Sequence, residues 1–109
     1  MRMYELYVRQ IQKYPLLDAE KEQDVAKRIC TGDKLAVKEL VNSNLRLVVN
    51  IANKFKSTYK VSVMDLIQEG NLGLMAAAEK FSDKYNTRFS TYAYPWILQY
   101  PNRFAVERL

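Results

Sequence analysis

Apolar positions in this chain recur every three or four residues, the spacing of amphipathic helices, and the pattern predicts an all-α fold. A first helix over residues 3–13 carries Leu6, Val8 and Ile11 between charges and is closed by Pro15. Asp18 is placed to cap a second helix, with Glu20 in its first turn and Val25, Ile29 and Cys30 on its apolar side. Gly32 reads as that helix's C-cap. Asp33 reads as the N-cap of a third helix bearing Leu35, Val37, Leu40 and Val41. The cap-forming run Asn42-Ser43-Asn44 marks a break.

The stripe Leu47, Val48, Ile51, Ala52 and Phe55 predicts a fourth helix over residues 45–55, followed by a basic loop over 56–60. Ser62-Val-Met-Asp65 matches a capping box. It opens a long helix over 63–81 that buries Val63, Leu66, Ile67, Gly70, Leu74, Ala77 and Phe81. Gly70 and Gly73 each cost such a helix about 1 kcal/mol against alanine, and close packing against another helix accounts for keeping them. Residues 82–87 form a polar loop, and Ser90 or Thr91 is expected to cap a last helix. The sequence stops in mid-pattern at "AVERL", as a piece of something longer would.

At 109 residues the chain suits one small domain, without the bulk for a deep catalytic cleft. A net charge of +5 favours a polyanionic partner, though only weakly. Histidine is absent, which removes the commonest general base and metal ligand. Cys30 is alone, so it forms no internal disulfide; it is expected to be a small buried apolar residue in a reducing cytoplasm. The start, MRMYELYVRQ, is too charged for a signal peptide, and no apolar run approaches the roughly 20 residues of a membrane span. No enzyme activity, cofactor or metal is expected.

Two groups of residues are candidates for function. Asp65, Gln68 and Glu69, with Asn71 beside them, sit opposite the apolar stripe of their helix. They read either as a solvated face or as a polar docking face for another protein's helix. Tyr92, Trp96, Gln99 and Arg103 follow helical steps of four, three and four and share a face. By spacing alone their rings are either core or platforms on which unpaired bases stack.

The strings "NSNLRLVVNIANKF", "DLIQEGNLGLM" and "RFSTYAY", with the upstream "YVRQIQKYPLLDAEKEQDVAKRI", resemble the bacterial sigma-70 family of RNA polymerase initiation factors over nearly the whole chain. The resemblance is to domain 2 with its upstream helix pair, and implies a compact bundle of about five helices. Residues 1–32 would be the upstream pair (region 1.2) and 33–109 the helical core of region 2, as one structural unit. It implies two partners: the clamp coiled coil of the largest core polymerase subunit, and the non-template strand of the promoter minus-ten element. Met64, Asp65, Gln68, Glu69, Asn71 and Met75 match the clamp-binding face. Tyr92 matches the aromatic residue that stacks where the flipped-out adenine leaves the duplex, and Trp96 the second of two tryptophans at the upstream fork. Gln99 and Arg103 match residues near the first base pair of the element. Asn44, Leu47 and Ser90 match the pocket for its last thymine, Arg88 a basic backbone contact, and Arg9 a position near downstream DNA.

The chain also departs from the family pattern. Pro95 stands where the first tryptophan is usual, and Leu98 where arginine is. Ser82, Tyr85 and Thr87 replace the acidic, basic and aromatic residues of the adenine pocket. Pro101 should kink or end the last helix, at roughly 3 kcal/mol if the helix stays straight. These departures admit a second reading: a module that keeps the polymerase face, or serves as the target of an anti-sigma protein, with weakened DNA recognition. An alternative rather than a housekeeping factor is the expected parent. Selection from random promoter DNA is then expected to yield a hexamer that differs from the housekeeping consensus; recovery of the unchanged consensus would refute the altered preference.

Overall fold

The computed structural model describes the backbone of residues 2–108 and, within that span, all side chains except those of Tyr59 and residues 101–108. The elements are α1 (Arg2–Ile11), α2 (Ala19–Cys30), α3 (Lys34–Asn42), α4 (Leu45–Tyr59), α5 (Val63–Lys80) and α6 (Phe89–Arg108), with no strand among the described residues. The all-α bundle expected from the sequence is present. Its caps form where the short polar residues stand. Asp18 accepts from the Lys21 N–H at 2.8 Å, Asp33 from those of Leu35 and Ala36 at 2.9 and 3.3 Å, and Ser62 Oγ from that of Met64 at 3.2 Å.

Helix α5 is the centre of the bundle, packing against α6, α4 and α3. Leu66, Ile67, Leu74 and Ala77 on its inner side are buried against Leu40, Val48, Phe89 and Ile97 of those neighbours. Its two glycines set the approach. A Cβ on Gly73 would lie 2.8 Å from the Trp96 carbonyl carbon and 2.9 Å from Ile97 Cα, and would strike the Trp96 carbonyl oxygen. One on Gly70 would lie 2.8 Å from Val48 Cγ1, the end of a side chain. At Gly73, therefore, backbone meets backbone.

The upstream helices are tied on by polar contacts. Asn53 Nδ2 donates to the Tyr4 hydroxyl at 2.8 Å, and Asn71 Nδ2 to the Tyr7 hydroxyl at 3.0 Å, fastening α1 to α4 and α5. Arg46 donates to the carbonyls of Gln12 and Tyr14, both at 2.8 Å. From α2, Glu22 is buried at 3% exposure and reaches the start of α6, where its Oε1 accepts from the Phe89 N–H at 2.8 Å and from Arg88 Nε at 3.0 Å.

Several expectations are corrected. Residues 56–59 continue α4 rather than looping: Lys56, Ser57 and Thr58 include no proline or glycine, and the helix ends only where Lys60 takes φ 56°. Ser90 and Thr91 lie inside the first turn of α6 and do not cap it; Glu22 accepts the helix's first free N–H from another element. Pro95 is therefore the seventh residue of α6. Its missing N–H leaves the carbonyl of Thr91, an exposed residue that water can reach. Pro101 does not end the helix, which runs on to Arg108. Cys30 is exposed, its Sγ 3.7 Å from both Ser82 Oγ and Asp83 Oδ1.

Gly73→Ala is expected to lower stability by about 1–3 kcal/mol, read as a fall in the thermal midpoint, because no rotamer change relieves a backbone clash. Gly70→Ala should cost less. Glu22→Ala is expected to cost about 1–3 kcal/mol in urea unfolding by stranding the buried Phe89 N–H. Glu22→Gln, which keeps an acceptor, should recover most of that loss; equal damage from both would place the loss in the charge alone.

Candidate nucleic-acid interface and docking face

The buried stripe of α6 is Phe89, Ala93 and Ile97, one residue per turn. Tyr92 and Trp96 border it. Both are half-buried and pack against the core without being sealed in it, and Gln99, one step further round, is exposed. Phe81, Tyr85, Phe89 and Trp96 surround the Tyr92 ring, at centroid distances of 5.3, 4.7, 6.4 and 6.1 Å. Burial, and next the hydrogen bond with Tyr85, raise the pKa of the Tyr92 phenol above its ordinary value. At neutral pH this ring is uncharged and does not repel phosphate. Arg103 belongs to α6, but its side chain lies outside the described residues.

Ser90 is exposed, two residues before Tyr92 and about 160° round the helix, so the two do not share a face. A strand touching both must pass round the N-terminal end of α6. Arg88 stands at that end. Its guanidinium is half exposed, yet it is engaged by Glu22 and by the Leu17 carbonyl at 3.1 Å, and the Glu22 hydrogen bond raises its pKa. Asn44 precedes α4, and its amide nitrogen donates to the Leu40 carbonyl at 2.8 Å and to Ser43 Oγ at 3.2 Å, which spends it on the α3–α4 turn. Leu47 is half-buried against the core. The segment from Gln12 to Leu17 is bonded by Arg46 of α4 at one end and by Arg88 at the other. It thus bridges the starts of the two helices that carry Leu47 and Ser90. Arg9 is exposed on α1.

On α5 the side turned away from the glycines presents Gln68 and Met75 exposed and Asp65 and Glu69 half-buried. Met64 packs partly into the core. Asn71 faces α1 through its bond to Tyr7, and its Oδ1 is buried without a hydrogen-bond partner. Leu72, 46% exposed, lies in the centre of this stripe, seven residues after Asp65 and three before Met75. The sequence reading passed over it as one more apolar position. Its signal was its phase, away from Leu66, Gly70 and Leu74. Glu22 was also missed, since a cap supplied from 67 residues away leaves no local pattern.

Among the described residues no helix is long and apolar enough to cross a membrane. Residues 40–100 match the family described as Sigma-70 region 2, and residues 4–35 the one described as Sigma-70 factor, region 1.2. The chain is 51% identical over 94 residues to the RNA polymerase sigma factor SigA of Clostridium acetobutylicum, covering 86% of this chain and 25% of that protein. It is 45% identical over 95 residues to the RNA polymerase sigma factor RpoS of Coxiella burnetii, covering 87% of this chain and 27% of that one. It thus spans about a quarter of the length of these relatives. With the region 2 match alone taking in more than half of its residues, the chain belongs to the sigma-70 family.

Proposed function

We propose that this chain acts as the part of a transcription initiation factor that docks on core RNA polymerase and captures unpaired bases of the promoter minus-ten element. The observation that carries the reading is the position of Tyr92 and Trp96. They form a ring pair 6.1 Å apart on the flank of α6, each packed against the core and each still partly exposed. Opening a duplex costs a few kcal/mol per unstacked base. A protein without nucleotide hydrolysis can offset that by stacking the extruded bases, worth about 1–3 kcal/mol each, and by neutralising phosphate. Lys54, Lys56, Lys60 and Lys84 are exposed and available for the second task. Arg88 serves better as an anchor of α6 that still offers part of its guanidinium to a phosphate.

Docking falls to the outward stripe of α5, Asp65, Gln68, Leu72 and Met75, with the clamp coiled coil of the polymerase as its partner. A leucine and a methionine flanked by polar groups is the make-up of an interface core with its rim. An anti-sigma protein would compete for the same stripe, and the cytoplasm is where such a factor works. The division into residues 1–32 and 33–109 belongs to the same proposal. The bonds from Tyr4, Tyr7 and Glu22 across that boundary support treating the two parts as one unit.

Binding to single-stranded minus-ten DNA, with and without core polymerase, tests both halves together. Tyr92→Ala should weaken DNA binding about 5–150-fold, the equivalent of one lost stack, at low and at moderate salt alike. Leu72→Glu should weaken polymerase binding and leave the thermal midpoint and DNA affinity unchanged. DNA binding indifferent to Tyr92→Ala would refute base capture.

A further inference from the structure

We propose that Tyr85 is a resident stand-in for a nucleobase: in the DNA-free protein it covers the solvent side of the Tyr92 ring, and it yields that face to an arriving unpaired base. The proposal rests on the base-capture reading above and names a residue that controls it. Two of the rings around Tyr92, Phe81 and Phe89, are fully buried and form its inner side. The other two, Tyr85 and Trp96, are not buried, so a base approaching from solvent meets them first. Tyr85 is the nearest ring, 4.7 Å from Tyr92 with 33° between planes. At that separation the two rings are already in contact, and no third ring fits between them. Tyr85 must therefore move before this face of Tyr92 can hold a base.

Tyr85 is held by its stack on Phe81, 6.0 Å away at 13°, as well as by Tyr92, but its outer side is open. Tyr85 is 43% exposed and sits in the connection between α5 and α6, where its N–H donates to the Ser82 carbonyl in a turn. Beside it an open groove of about 630 Å³ runs between this connection and α2, lined by Ala19, Gln23, Lys84, Asn86 and Arg88. Its polar donors and acceptors suit a displaced phenol or a base edge. Burial by its neighbours raises the Tyr92 pKa, with Tyr85 the second cause, in keeping with a covered ring.

A site that is competent only while Tyr85 stands aside binds more weakly in proportion to that fraction. Removing the ring should therefore tighten DNA binding, by about 3–10-fold for an aromatic pair of ordinary strength. The test is fluorescence anisotropy of the full chain with a labelled forked duplex whose single-stranded arm contains only adenine and thymine. Tyr85→Ala is expected to bind about 3–10-fold tighter than the parent. Tyr85→Phe, which keeps the ring but loses its hydrogen bond with Tyr92, should fall between the parent and Tyr85→Ala, and Tyr92→Ala should bind more weakly. If Tyr85→Ala binds no tighter, the stand-in role is overturned. If it binds more weakly, Tyr85 is itself a wall of the base site and the proposal is equally overturned. In both cases base capture survives as long as Tyr92→Ala still weakens binding. Affinity that Tyr92→Ala leaves unchanged removes both ideas together.

Discussion

The fold depends on one contact between backbones, where Gly73 of α5 lies against the Trp96 carbonyl of α6. Most helix pairs are held apart by their side chains. Here there is no room for even one methyl group, so α6 lies on α5 at backbone contact distance. Gly70 admits Val48 and Ile97 to the same seam and locks α4 into it. The intrinsic helix cost of two glycines is the smaller effect, about 1 kcal/mol each, set against a seam that buries Leu66, Ile67, Leu74 and Ile97 almost completely.

That contact links the two surfaces of the molecule. The residue whose carbonyl touches Gly73 also bears the indole beside Tyr92, so the ring pair is registered directly on α5. The other side of α5 carries Asp65, Gln68, Leu72 and Met75. A partner gripping that stripe therefore holds the aromatic flank of α6 at a fixed distance through one rigid helix. Base capture needs such rigidity, because a stacked base is worth only about 1–3 kcal/mol and a loosely held platform would lose part of it to ordering.

Helix periodicity and capping made the fold legible. The stripes on α4 and α5 and the caps Asp18, Asp33 and Ser62 are local signals, and each formed in place. The misreadings share a cause in tertiary context. Lys56-Ser57-Thr58 looks like a loop because its residues are polar, yet a solvated last turn has that same composition. Ser90 has the chemistry of a cap, but the cap of α6 comes from Glu22 on α2. Asn71 has the polarity of a docking residue, while its amide is turned to Tyr7. Of the site, spacing placed Tyr92 and Trp96 on one flank and left open whether they were core or platform. In the fold both are half-buried, and the ring of Tyr85 is laid on Tyr92.

The prolines of α6 follow from the same arrangement. Alone, a helix with prolines at its seventh and thirteenth positions and no cap of its own would be a poor one, since each proline removes a backbone bond. In this fold α6 does not rely on its own ladder. Glu22 holds its first N–H, Arg88 ties its start to the Leu17 carbonyl, and Gly73 receives its middle. Pro95 falls on the exposed side, where the carbonyl it leaves unpaired can turn to water. The aim of the aromatic flank is therefore set by α2 and α5 more than by the sequence of α6. Substitutions on the upstream helices can alter what the flank binds without touching it, and the sequence of α6 is left free to vary its rings and prolines.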